Sequence, residues 1–347
     1  MRLEDLDYTL PAERIAQHPP ARREDARLLV VDRAQGDLED GRIPDLCHWL
    51  EPGDVLALNE TRVRPARLSA RRIPSGGKVE LLFVRPLAPI PGGGESWRVL
   101  ARPARRARPG ERLESPGGGL VVEVTHEGPA GERSVRIVSG QLAETLEREG
   151  TVPLPPYVHR PPLPEDRDRY QTVYARVDGA VAAPTAGLHL GEEVLGALAA
   201  RGVRSARVLL HVGPGTFRAV TGDPRQHVMD EEYFEVSQEA AETLAGARAA
   251  GGRIVAVGTT AVRALESAYD MNAGRLGPAS GWTRKFIQPP YEFRGVDALL
   301  TNFHLPRTTL LLLVAAFAGE EQVRRAYAHA IERGYRFYSY GDAMLVI

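Results

Sequence analysis

The sequence predicts a mixed-sheet α/β main domain, discontinuous along the chain, with a small β-barrel domain inserted into it. Three observations carry this expectation. Apolar strand and helix patterns alternate towards both ends of the chain, the middle holds short alternating strands separated by Pro and Gly clusters, and a proline-rich stretch marks the return. With 347 residues, 43% of them hydrophobic, the chain exceeds one typical domain and can bury a sizeable core.

The elements follow in order. An opening loop leads to strands over 27–31 (Arg-Leu-Leu-Val-Val) and 54–58 (Asp-Val-Leu-Ala-Leu), apolar runs of the kind buried in mixed sheets. Between about 66 and 138 come alternating strands such as 79–84 and 120–124, the signature of a barrel or sandwich. Residues 151–164 lose a backbone donor at each proline and cannot be helix or central strand, so they connect domains. Beyond Gln171 the reading is a strand at 205–212, a helix at 237–250 capped by Ser237 with Gly251 past its end, and a strand at 253–257. A helix from 261 to about 269, a strand at 296–301, helices at 308–318 and 320–334, and a last strand over 335–340 complete it. The expected domains are 1–60 with 152–347 (α/β) and 61–151 (barrel).

Composition narrows the function. Cys47 is the single cysteine, which excludes an intramolecular disulfide and any Cys-rich metal site, and it reads as core. Acidic residues stand where a signal peptide would be apolar, and the longest apolar run, 309–318, falls short of the roughly 18 residues of a membrane span, so a cytoplasmic protein is expected. The net charge of −1 hides a local patch: between Glu60 and Leu113 thirteen basic residues face four acids. Such a segment can track a phosphate backbone, or be a solvated arginine face.

Chemistry-bearing residues cluster at predicted strand ends, where open α/β sheets bind ligands. Small residues Val181 to Gly187, with Thr185 among them, lead to His189 at a helix mouth; His211 interrupts an apolar strand before Gly213-Pro214-Gly215-Thr216-Phe217. Strand, Gly258-Thr259-Thr260 turn and helix point free N–H groups and two hydroxyls at an incoming polar group, without the lysine of a P-loop. His227 and three acids fall within six residues, Asn302 and His304 share one side of an extended strand, and Asp342 sits in a glycine turn. Taken singly, each has a structural reading as well: a cap, a core histidine, an acidic loop, an Asx-turn. The sequence holds no recognisable metal motif, and no metal is expected.

As a set these strings resemble the queuosine-pathway family of S-adenosylmethionine:tRNA ribosyltransferase-isomerases. The likeness runs from Leu6-Asp7-Tyr8-x-Leu10-Pro11, through Asn59-Glu60-Thr61-Arg62-Val63, Pro65-Ala66-Arg67-Leu68, Leu154-Pro155-Pro156-Tyr157 and Tyr170-Gln171-Thr172-Val173-Tyr174, to Tyr340-Gly341-Asp342-Ala343-Met344. Departures are Leu190 where Phe is usual, Asp230 where a second His is common, and Pro289-Pro290-Tyr291 for Pro-Gly-Tyr. The resemblance implies a discontinuous α/β domain with an inserted barrel. It implies S-adenosylmethionine as co-substrate and, as partner, tRNA with a GUN anticodon carrying 7-aminomethyl-7-deazaguanine. The implied product is epoxyqueuosine in tRNA, with adenine and methionine released. A monomer is expected, with no membrane partner.

On that basis the candidates for proton transfer are His189, His211, His304 and a His227/Glu232 pair, with Asp342 as orienting carboxylate. Thr185, Gly213, Gly215, Thr216, Thr259, Thr260 and Asn302 are candidates for holding S-adenosylmethionine. Arg62, Arg67, Arg102, Arg105, Arg106 and Arg108 are expected to meet tRNA phosphates, and Phe217 or Tyr338 to stack on the base. The rival readings are an S-adenosylmethionine-dependent RNA methyltransferase and a non-catalytic RNA-binding module.

Overall fold

The computed structural model describes residues 3–88 and 94–347, with the side chains of Leu3 and Phe217 outside that description. Its strands, in chain order, begin with β1 (Arg27–Val31), β2 (Leu38–Arg42), β3 (Val55–Asn59) and β4 (Thr61–Val63). Then come β5 (Arg67–Ile73), β6 (Lys78–Pro86), β7 (Ser96–Arg102), β8 (Arg112–Glu114), β9 (Leu120–Glu127) and β10 (Glu132–Gly140). The rest are β11 (Val177–Ala180), β12 (Arg204–Leu210), β13 (Glu232–Val236), β14 (Ile254–Val257), β15 (Ala279–Thr283), β16 (Ala298–Asn302) and β17 (Ala343–Val346).

Nine strands form a mixed sheet in the order β15-β13-β12-β3-β14-β16-β17-β1-β2. Its middle, β12, β3, β14 and β16, is parallel. These strands are apolar on both faces because both are covered: Val55 and Ala57 face one core, Leu56 and Leu58 the other. The helices Gln238–Ala249, Thr259–Met271, Thr309–Ala318 and Glu320–Glu332 pack into the first core, and Glu192–Ala200 into the second. Ser237 and Thr308 cap their helices as side-chain acceptors, from the N–H groups of Ala240 and Leu311. Cys47 packs at the edge of the second core, partly exposed.

The inserted unit is a closed antiparallel barrel, β10-β7-β6-β5-β8-β9. Alternation fills it: Val79, Leu81 and Phe83 of β6 point inward against Trp97, Val99 and Ala101 of β7. The chain returns at Thr151, which pairs with Arg67, and the proline connector then runs along the barrel's base.

One expected strand is corrected. Residues 335–340 do not pair in the sheet; the last strand is β17 instead. Phe337 bridges Ile15, the Arg336 N–H donates to Asp342 (2.7 Å), and Tyr338 takes φ 72°, which breaks the extension. No helix among the described residues is long and apolar enough to cross a membrane.

Candidate active site

Because the central strands are parallel, their carboxyl ends at Asn59, Leu210, Val257 and Asn302 meet at one edge of the sheet. A cleft of ≈ 650 Å³, including its open mouth, lies there. Gly258 has φ 94°, a left-handed backbone that suits glycine, and this lets the following helix start at once with Thr259 and Thr260 in the cleft wall. Asn59 ties the strand ends together. Its Nδ2 donates to the Leu210 carbonyl (3.0 Å) and Thr260 Oγ1 (3.1 Å), and its Oδ1 accepts from the N–H groups of Leu210 (3.0 Å) and Thr61 (3.2 Å).

Asn302 and His304 both line the cleft. Asn302 Nδ2 donates to His189 Nε2 (2.9 Å) and to the Tyr338 carbonyl (3.0 Å). An amide nitrogen can only donate, so His189 Nε2 accepts and its proton sits on Nδ1. Asn302 Oδ1 is then buried without a protein partner, an acceptor open to a ligand. His189 itself lies behind Asn302; burial, then the charges of Arg336 and Arg23, pull its pKa down to about 3. His304 Nε2 is 2.8 Å from Thr301 Oγ1, which leaves Nδ1 as the ring nitrogen not engaged by Thr301. Burial pulls its pKa down to about 3, so it is neutral at pH 7. The His304 N–H donates to the Tyr327 hydroxyl (3.0 Å), and its carbonyl accepts from Tyr8.

Tyr338 stacks on Tyr157 across the cleft wall, ring centroids 3.9 Å apart. Its φ of 72° is unusual for a bulky residue and costs on the order of 1–3 kcal/mol. The surroundings enforce it: its N–H donates to Phe303 (3.1 Å) and its carbonyl accepts from Gly341 (2.9 Å) as well as Asn302. The Tyr338 hydroxyl is buried without a partner. Among the described residues no Asp, Glu, Lys or Arg lines this cleft.

Several expected members stand elsewhere. Thr185, Thr216, Thr259, Thr260, Asn302, His304 and Tyr338 are brought together in the cleft. The His227/Glu232 pair does not form. Glu232 begins β13 facing inward, where Oε1 accepts the Gly213 N–H (2.7 Å) and Oε2 meets Arg263 Nη1, both side chains 4% exposed. His227 instead packs beside Phe286, centroids 5.3 Å apart. Glu232 therefore shapes the turn that carries Thr216 into the cleft, while Gly215 packs on Asp230, which pairs with Arg218 (3.4 Å). Asp342 lies outside the cleft, its oxygens accepting from the N–H groups of Arg27 (2.9 Å) and Arg336 (2.7 Å). His211 is beside the cleft, Nδ1 at 2.8 Å from Thr61 Oγ1, its pKa pulled down to about 4 by burial and then by Arg64. The Phe217 ring lies outside the described residues.

Arg102, Arg105, Arg106 and Arg108 are exposed on the barrel around the β7–β8 connection. Arg67 and Arg102, with Arg218 of the main domain, line a groove of ≈ 1380 Å³ between barrel and connector. Arg62 stands on the β4–β11 ribbon, 3.8 Å from Asp178. Among the described residues no group of three or more His, Cys, Asp or Glu is placed to hold a metal ion.

Sequence reasoning did not single out Asn59, Tyr157, Thr301 or Arg263 as site residues. Asn59 carried the same signal as Asn302, a polar residue ending an apolar strand. Tyr157 lay in the connector, and nothing local marks Arg263 as the partner of Glu232.

Comparison with known proteins agrees with this architecture. A family model described as "Queuosine biosynthesis protein" matches residues 3–346. Curated proteins named S-adenosylmethionine:tRNA ribosyltransferase-isomerase from Syntrophomonas wolfei and Symbiobacterium thermophilum are each 50% identical, over 100% of this chain and 97% and 100% of theirs. The crystal structure of an S-adenosylmethionine tRNA ribosyltransferase from Thermotoga maritima is 35% identical with a TM-score of 0.56, covering 99% of this chain and 100% of that one. The chain therefore belongs to the queuosine biosynthesis protein family.

Proposed function

We propose that this chain transfers and isomerises the ribosyl moiety of S-adenosylmethionine onto 7-aminomethyl-7-deazaguanine at the wobble position of tRNA with a GUN anticodon. The products are epoxyqueuosine in tRNA, adenine and methionine. The observation that supports this most directly is the cleft itself: uncharged, walled by hydroxyls and two stacked tyrosines, with a neutral imidazole and an open amide oxygen facing in. A cationic sulfonium is accommodated there by aromatic faces without a competing cation.

In this reading His304 takes the proton from the ribosyl carbon next to sulfur, leaving an ylide-like centre. The carbanion expels the ring oxygen to leave a vinyl sulfonium, and the freed oxygen drives off adenine as the aldehyde forms, with adenine taking up the proton. The neutral aminomethyl nitrogen adds to the vinyl carbon, losing a proton and restoring the ylide. The ylide carbon closes on the aldehyde, and methionine leaves as the epoxide forms. Asn302 Oδ1 accepts from a sugar hydroxyl, with the hydroxyls of Thr185, Thr216, Thr259 and Thr260 around it. His189 is a positioning residue that acts through Asn302. Asp342, with both oxygens on backbone amides, braces the wall and orients no imidazole. The exposed arginines of the barrel and the groove beneath it take RNA phosphates.

Mass spectrometry of a reaction with S-adenosylmethionine and tRNA bearing the aminomethyl base tests this. Adenine with an epoxycyclopentane nucleoside is the expected outcome. S-adenosylhomocysteine would instead mean methyl transfer, and tight RNA binding without product a non-catalytic module.

A further inference from the structure

From the cleft towards the sheet's β15 edge, successive strands carry one ring each at the same end of the sheet. His211 follows β12 directly and precedes Val212 of the cleft wall. Its ring stacks on Tyr233 of β13, centroids 6.0 Å apart at 28°. Tyr233 is the cross-strand partner of Trp282 on β15, rings 5.8 Å apart and edge-on. The Arg85 guanidinium of barrel strand β6 lies over the Trp282 ring, 4.7 Å from its centroid. The row is built: His211 is held by Thr61 Oγ1, and a Cβ on Gly179 would come within 2.4 Å of the imidazole, so any side chain there would displace the ring.

The row ends in water. Trp282 is 51% exposed on an edge strand, where a packing role would have buried it. Its surroundings favour an anion-bearing partner. Arg85 (3.5 Å) and Arg284 (3.1 Å) divide the single carboxylate of Glu231 between them, and Arg218 (3.4 Å) shares Asp230 with Arg98 (3.9 Å), which Glu132 also holds, so Arg85, Arg284 and Arg218 are each only partly neutralised beside the row. Trp282 is exposed while Tyr233 and His211 are half-buried, and rings that reach water beside arginine suit unpaired nucleobases, whose rings stack while phosphates meet the cations.

We infer that His211, Tyr233 and Trp282, capped by Arg85, form a stacking platform for the unpaired bases beside the one entering the cleft. This rests on the RNA-modifying reading above and deepens it. The platform gives register: it holds the single strand between the basic barrel and the cleft.

The test is direct binding of a tRNA anticodon stem-loop, and of the same sequence annealed as a duplex, to wild type, Trp282→Ala and Trp282→Phe. Alanine is expected to weaken stem-loop binding roughly 5- to 100-fold, the range for loss of one stacked base, while leaving duplex binding and kcat at saturating tRNA unchanged. Phenylalanine restores most of it. Stem-loop affinity equal to wild type in the alanine variant overturns the inference, as does an equal loss for duplex. A wild-type dimer in sedimentation that Trp282→Ala abolishes, with RNA binding unchanged, assigns the ring to a second copy and also overturns it. Binding needs no turnover, so a Trp282-dependent complex with a stem-loop carrying the aminomethyl base that releases no adenine when S-adenosylmethionine is added would sink the proposed reaction and leave the platform standing.

Discussion

The cleft and the barrel are opposites in charge. Among the described residues the cleft has no charged side chain, and its histidine is neutral; the barrel displays Arg102, Arg105, Arg106 and Arg108 to solvent. A polyanion is best gripped by cations, but a guanidinium about 4 Å from a sulfonium costs roughly 4 kcal/mol at the effective dielectric of a partly buried site. In the function proposed above, keeping the two apart would let one chain hold RNA and a cationic donor at once.

The sharpest way to break the contrast is His304→Ala. If the cleft does chemistry and the barrel only binds, adenine release falls on the order of 10²- to 10⁴-fold while tRNA affinity stays within about twofold of wild type. An equal fall in affinity would mean that the regions are not separable.

Next in size is the buried pair below the cleft. Glu232→Ala leaves Arg263 charged at 4% exposure, with Nη2 already lacking a partner. Removing one member of such a pair costs about 3–5 kcal/mol, measured by denaturant unfolding. Glu232→Gln keeps the acceptor for the Gly213 N–H and is expected to cost less.

These residues also show what was legible in the sequence. Strand ends could be read because packing alone does not account for an apolar run that stops at His, Asn or Thr, and the caps Ser237 and Thr308 follow from local chemistry. Long-range pairing could not. His227 and Glu232 are five positions apart, but strand alternation turns Glu232 inward towards Arg263, which lies 31 positions away. Residues 335–340 have the aromatic alternation of a strand; the positive φ of Tyr338 and the amide capture by Asp342 that undo it leave no sequence pattern. Asp342 likewise looked like a partner for histidine, yet its hydrogen bonds come from backbone N–H groups, which any residue supplies, and its ion-pair partner is Arg336 (3.7 Å).

On the barrel side, replacing Arg102, Arg105 and Arg108 together with Gln is expected to flatten the salt dependence of RNA binding. If each neutralises one phosphate, the log–log slope shrinks by roughly 2–3, a difference of about tenfold or more between 50 and 200 mM salt. Turnover at saturating tRNA stays unchanged. A slope equal to wild type would move the RNA contact off this face.

Acid separates the regions as well, by an effect that is zero at neutral pH and grows as pH falls. His189 and His304, with pKa values near 3 in the folded protein against an ordinary 6.5, are neutral when folded. Below pH 6.5 the unfolded chain takes up protons that the folded chain refuses, so the unfolded state gains. Their contribution is complete above about pH 6.5 and is lost as pH falls towards 3, by roughly 1 kcal/mol per imidazole per pH unit. The barrel has no buried imidazole to charge: its one histidine among the described residues, His126, is exposed. Hydrogen exchange at pH 5 compared with pH 7.5, corrected for intrinsic rates, is therefore expected to show the amides of β14 and β16 losing protection before those of β6 and β7. The reverse order would mean that the barrel, with its dense like charges, is the weaker unit in acid.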